Sequence, residues 1–300
     1  MNVYLKPTGL HSRAMLRIAA ALRTHLPTYM HEVDDVTDAD LQVLYVISSD
    51  AIDHGFNLID NGKRYAVIQC CHKTAGPHRD DYLWNDFWYC ATAVWSYLTL
   101  PVRPGVPYLH QPLGVDDVFH AANYAGHRQR TVRRQPHIIT TGYVSGYGCE
   151  AIAEVWEAAR ILNFQCTHIG PRDVEGMSRP ATWCNVFDIS DEQLVRLYQT
   201  ADYVSGLRYI EGFELPAAEG LMCGATPLLF NLPDMRQWYG RSAHYFDGNL
   251  QGEGLVAALV DRLNPRVKVN LDIDAAADRF SWEYLCDRFF NAITATMENE

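Results

Sequence analysis

The sequence is short of several things, and each shortage excludes a class. No apolar run reaches 18 residues, so the sequence offers no transmembrane helix. A basic stretch followed by an apolar one is missing from the start, where Met1-Asn2-Val3-Tyr4-Leu5 leads directly into strand-like sequence. The expectation is therefore a non-secreted protein of the cytoplasm, or of the host cytoplasm if viral. The eight cysteines form no CxxC pair and read as reduced, mostly buried small hydrophobes. Cys70, Cys71 and His72 are consecutive, a poor geometry for zinc. Net positive charge is also lacking: at −11 the surface as a whole repels nucleic acid and anionic membrane. Lysine is nearly absent, with only Lys6, Lys63, Lys73 and Lys268 against 21 arginines.

What is present is a core-forming composition, 48% hydrophobic and 12% aromatic over 300 residues, enough for about two domains. Asn2–Leu5 reads as a strand, and Ser12 as the cap of a helix running to about Leu26. Leu41–Ile47 and Tyr65–Cys71 are apolar on both alternations, which suits parallel strands covered on both faces. The aromatic stretch Asp81–Leu98 is expected to be a helix packed on the sheet, with a stacking platform as the sharper reading. Pro101–Pro112 reads as a connector holding a short strand, and the basic Ala121–Gln135 as an inter-domain linker. The rhythm then repeats. Strands are expected at His137–Thr141, Gln165–Ile169, Tyr203–Leu207 and Thr226–Phe230. Helices are expected at Glu150–Leu162, Asp191–Thr200 capped by Ser190, and Pro216–Cys223. Strands alternating with helices twice over predict an α/β protein of two doubly wound domains.

Residues 201–230 carry the chemistry. A buried strand is followed by a loop and then by a helix whose first N–H groups face that loop, an arrangement suited to phosphate. Gly212 allows close backbone approach to a ligand. Glu211 precedes the loop and Glu219 lies about one turn into the helix, where carboxylates can accept hydrogen bonds from vicinal hydroxyls. A phosphate flanked by diols describes a nucleotide-sugar.

The run Glu211-Gly212-Phe213-Glu214-Leu215-Pro216-Ala217-Ala218-Glu219, continued by Gly220-Leu221-Met222-Cys223-Gly224-Ala225-Thr226-Pro227, resembles the E-x7-E signature of retaining GT-B glycosyltransferases of the glycosyltransferase-4 type. Three other segments resemble that family in the right order: Pro112-Leu113-Gly114-Val115-Asp116 with Phe119, Leu197-Tyr198-Gln199-Thr200-Ala201-Asp202, and Phe280-Ser281-Trp282-Glu283. The likeness spans roughly residues 105–290 and is only an outline before that.

The resemblance implies two Rossmann-like domains facing across a cleft. Residues 1–125 would bind acceptor, residues 126–278 would bind nucleotide-sugar, and a helix in 279–300 would return to the first domain. It implies that Glu219 holds the ribose, while Glu211 and the backbone of Gly212, Phe213, Glu214 and Leu215 hold the donor sugar and diphosphate. Transfer would retain configuration, with no metal and no cofactor. Asp38-Ala39-Asp40 and Asp272-Ile273-Asp274 match D-x-D no more often than chance expects. It further implies His72 as an active-site histidine, and Gly9 as the remnant of a glycine-rich donor loop; His11, in the loop after the first strand, and Trp88 are acceptor-side candidates.

The sequence departs from the family where a strand-end Arg and Lys meet the diphosphate. Gly142-Tyr143-Val144-Ser145-Gly146 stands there instead, with Gly142 at the strand end and both cations missing. Arg172 and Arg208 are the candidate replacements. Glu214 stands where the family often has glycine.

The acceptor is left open between a small molecule or glycan and DNA. The cluster Arg128, Arg130, Arg133 and Arg134 suits a phage-type enzyme that glycosylates hydroxymethylated pyrimidines. A non-catalytic nucleotide-sugar-binding module is the third reading. A GT-B phosphorylase or a nucleotide-sugar epimerase, which share the fold, is the enzymatic alternative, but a pyridoxal-phosphate phosphorylase needs a lysine and this sequence has none in the site segment.

Overall fold

The computed structural model describes residues 1–7, 13–47, 50–70, 81–120, 135–142, 150–170, 182–186, 188–209, 212–264 and 269–299. The chain divides into two units, Met1–Gly114 with Phe280–Glu300, and Val115–Arg279. The division thus falls upstream of the 125/126 boundary expected from the basic stretch, whose residues 121–134 lie outside those described.

The first unit is built on a six-stranded parallel sheet. Its strands are β1 (Asn2–Tyr4), β2 (His31–Glu32), β3 (Leu41–Val46), β4 (Arg64–Gln69), β5 (Val94–Ser96) and β6 (Tyr108–His110), in the order β2-β1-β3-β4-β5-β6. Every residue of β3 is buried and only Arg64 of β4 is not, as expected of strands covered on both faces. The two pair in register from Leu41 opposite Arg64 to Val46 opposite Gln69.

The aromatic run is not one helix. Asp81–Tyr89 is helical, and the chain then re-enters the sheet as β5. Trp95 belongs to β5, an interior strand buried on both faces, where a short apolar segment is better placed than on a helix that covers one. Trp84, Phe87 and Trp88 are core: Phe87 stacks on Tyr65 at 5.1 Å, and Trp88 donates its indole N–H to Gln69 at 3.2 Å. The closing helix Trp282–Glu298 belongs to this unit. Ser281 caps it, Trp282 and Phe289 pack on Trp95, and Gln111 donates to the Leu285 carbonyl at 3.1 Å.

The second unit has its own parallel sheet: β7 (His137–Thr141), β8 (Gln165–Ile169), β9 (Trp183–Val186), β10 (Tyr203–Gly206), β11 (Thr226–Phe230) and β12 (His244–Phe246). The order β12-β11-β10-β7-β8-β9 places the first three strands on one side and the last three on the other. The direction of winding reverses between β7 and β10, and ligands of open α/β sheets bind outside the carboxyl ends of the strands at such a reversal. Trp156, Phe164, Cys166, Leu228, Phe230, Leu255 and Leu259 form the core on one face. The helix Asp191–Thr200 opens with a full capping box from Ser190 and Gln193.

The helix Leu215–Met222 lies close on β10. A Cβ placed on Gly220 would sit 2.5 Å from Val204 Cγ2, so only glycine permits this approach. Gly220→Ala is expected to destabilise the unit by about 1–3 kcal/mol through overpacking, measured by denaturant titration. A wild-type midpoint would contradict the fit.

Both sheets are flanked by helices as the sequence rhythm implies. Among the described residues no helix is long and apolar enough to cross a membrane.

Candidate functional site

Four segments of the second unit converge at the winding reversal. The chain leaves β7 at Gly142, whose φ of +113° is a conformation that side chains rarely adopt. Glu150 bridges to Arg208, which follows β10, as an isolated antiparallel pair, and the Ala151 N–H donates to the Leu207 carbonyl at 2.9 Å. Glu214 stands just ahead of the helix Leu215–Met222.

The side chains of these segments meet. Arg208 Nε lies 3.1 Å from Glu214 Oε1 and 3.4 Å from Glu150 Oε1. The carboxylates are 1% and 8% exposed and the arginine 26%, so the cation sits between two buried anions. A Cβ on Gly142 would come 2.9 Å from Glu150 Oε1 and 3.2 Å from Arg208 Nη2. Glycine is needed there for both dihedral and space.

The helix Leu215–Met222 begins without a side-chain cap and with Pro216 in its first turn, a residue suited to that position. Its start is fixed from the other side: the Tyr239 hydroxyl donates to the Glu214 carbonyl at 2.6 Å, and Phe213 stacks on the Tyr239 ring at 6.0 Å. One turn in, Glu219 is 3% exposed. A carboxylate at that depth needs hydrogen-bond partners, and the Tyr198 hydroxyl donates to its Oε2 at 3.2 Å. Tyr198→Phe is expected to weaken any ligand held by Glu219 by about 3- to 10-fold, an indirect loss of roughly 1 kcal/mol because the hydroxyl orients the carboxylate and does not itself hold the ligand. Unchanged affinity in calorimetry would remove Tyr198 from the site.

Behind β7, His168 on β8 is fully buried against Trp156, ring centroids 5.4 Å apart and edge to face. Its Nδ1 pairs with the Thr140 hydroxyl at 3.0 Å, which also accepts from Trp156 Nε1 at 3.0 Å. Burial pushes His168 down to about 4, opposed only by the Gly142 backbone, and keeps the ring neutral at pH 7.

Of the residues expected from sequence, Glu219, Gly212, Phe213, Glu214, Leu215, Arg208 and Gly142 all fall in this unit, around the ends of β7 and β10. Gly212, Phe213 and Glu214 are buried and Leu215 is partly so. Phe213 is 4% exposed and its ring stacks on Tyr239. Glu211, His72, Arg172, Gly9 and His11 lie outside the described residues, as do Arg128, Arg130, Arg133 and Arg134. Trp88 is a correction: at 0% exposure, with its N–H on Gln69, it is core and not an acceptor contact.

Glu150, Tyr198 and His168 are the polar groups that sequence reasoning missed. Tyr198 lay inside a segment noted for its resemblance. Glu150 had no signal, because its partner is 58 residues further along the chain.

No protein-family model matches the sequence, and no curated protein matches it. Solved structures do. A glycosyltransferase from Rickettsia africae superposes with a TM-score of 0.68 at 10% identity, covering 100% of this chain and 99% of that one. A UDP-forming α,α-trehalose-phosphate synthase from Burkholderia xenovorans, in complex with glucose-6-phosphate, gives 0.61 at 11% identity, covering 95% and 79%. A sucrose-phosphate synthase from Thermosynechococcus elongatus gives 0.55 at 15%, covering 87% and 72%. At such identities the likeness speaks for fold. With two six-stranded parallel sheets, their flanking helices and the closing helix, this chain has the two-domain Rossmann-like fold of the GT-B glycosyltransferases.

Proposed function

We propose that the chain is a retaining, metal-independent glycosyltransferase of the glycosyltransferase-4 type, moving a sugar from a nucleotide-sugar to a hydroxyl acceptor. The observation that carries this reading is Glu219. It is a buried carboxylate, steadied by Tyr198 on one oxygen, set one turn into the helix that follows the reversal strand β10. In that place it suits the two hydroxyls of a ribose. The E-x7-E run supplies Glu211 for the donor sugar, and the backbone around Gly212 and Leu215 lies where a helix N-terminus meets anions. The fold shared with the trehalose- and sucrose-phosphate synthases supports the same class of reaction, and retention and metal independence rest on the segment's resemblance.

The test is a thermal-shift screen of UDP-, GDP-, ADP- and TDP-sugars against wild type and Glu219→Ala. A donor at 100 times its Kd stabilises by about 2.7 kcal/mol, a shift of a few degrees. A hit lost in the variant supports the proposal. A hit retained in the variant overturns the assignment of Glu219, and no hit with any donor overturns the function.

A further inference from the structure

The missing Arg and Lys of the diphosphate site make Arg208 the natural substitute by position, since it follows β10 at the winding reversal. Its surroundings give it a different job. A phosphate-binding arginine keeps its charge for the ligand, whereas Arg208 has two carboxylates within 3.4 Å, both nearly out of water. Both side chains that Arg208 meets are carboxylates, so its charge is compensated within the cluster. Removing one partner from a buried ion pair strands the other, so the three side chains hold one another in place.

The three groups also come from separate parts of the chain. Glu150 stands two residues ahead of the helix Ile152–Ile161, Arg208 follows β10, and Glu214 immediately precedes the helix that carries Glu219. The left-handed glycine at 142 leaves room for the Glu150 and Arg208 side chains to meet over the end of β7.

We propose that Arg208 is a positioning residue and not the diphosphate cation: bound by Glu150 and Glu214, it locks the loop ahead of the helix Leu215–Met222 to the end of β7 and so sets the place of Glu219. The inference rests on the proposed nucleotide-sugar site for its ligand, though the lock itself is measurable without one. Glu214, which stands where the resembled family often has glycine, thereby has a structural use as a partner of Arg208.

The experiment compares wild type, Arg208→Gln and the conservative Arg208→Lys in two measurements. The first is hydrogen–deuterium exchange of residues 213–223 without ligand. Arg208→Gln is expected to speed exchange there at least 10-fold, and Arg208→Lys to recover part of the loss, since an ammonium still pairs with a carboxylate. Unchanged exchange in Arg208→Gln overturns the lock whether or not a nucleotide ever binds. The second is calorimetric affinity for UDP and uridine, with GDP and guanosine, and ADP and adenosine, as alternative pairs. A lock lowers affinity for the diphosphate and its nucleoside by the same factor. A phosphate clamp weakens only the diphosphate, by roughly 10-fold or more, and that outcome overturns the proposal. If Arg208→Gln fails to fold, Arg208→Lys alone decides between an equal loss for both ligands and a loss confined to the diphosphate. Failure of every nucleotide to bind wild type refutes the proposed function and leaves the exchange result standing.

Discussion

Glu219→Gln is expected to reduce nucleotide-sugar affinity by about 10²-fold or more while leaving the circular dichroism and thermal midpoint near wild type. A carboxylate that accepts hydrogen bonds from two vicinal hydroxyls contributes about 1.5–3 kcal/mol for each, and the amide retains one acceptor without charge. The fold should survive because the substitution preserves volume and the amide oxygen still accepts from Tyr198. A buried charge is removed at the same time, which costs the folded state nothing in desolvation. Isothermal titration of the donor found in the screen reads the effect directly. Affinity within 3-fold of wild type would show that Glu219 is a core carboxylate and that the ligand lies elsewhere.

The second large effect is on stability. The pH 7 fold buries His168 as a neutral ring, and its folded pKa of about 4 lies below the 6.5 of an exposed histidine. Between those values the unfolded chain binds a proton that the folded chain does not, so stability falls as pH falls from 6.5 to 4. The full difference amounts to about 3 kcal/mol, and below pH 4 this residue contributes no further loss. The change should appear as faster amide exchange in β7 and β8 at pH 5 than at pH 7, after correction for intrinsic rates. In His168→Gln this part of the pH dependence should vanish. If variant and wild type show equal pH slopes, His168 does not titrate with folding.

Much of the second unit could be read from its sequence. The strands at His137–Thr141, Gln165–Ile169 and Thr226–Phe230 and the helix at Asp191–Thr200 occur where they are expected, because apolar runs and the Ser190 cap are local signals. The edge strands β9 and β12 were not anticipated. They have four and three residues, and β9 is only partly buried, so neither the alternating nor the continuous pattern develops. At 81–98 composition suggests one helix for seven aromatics, whereas the helix ends at Tyr89 and the chain returns as a strand at Val94, a change that no residue type announces.

The candidate site divides in the same way. Glu219 and the residues from Gly212 to Leu215 are contiguous, so a local motif brings them into view. The role of Arg208 depends on Glu150 and Glu214, which only tertiary structure brings beside it. A sequence can therefore suggest an arginine for a phosphate without revealing that its charge is already matched.

The most direct test of the account is turnover. Incubation with the donor identified by the screen, followed by chromatography for nucleoside diphosphate and by proton NMR of the released or transferred sugar, measures both transfer and its stereochemistry. The account predicts release of nucleoside diphosphate by wild type, none above background by Glu219→Gln, and a first-formed product with the anomeric configuration of the donor. A bound donor that is never cleaved, with any acceptor offered, would contradict it and make the chain a nucleotide-sugar-binding module; inversion at the anomeric carbon would refute the retaining mechanism.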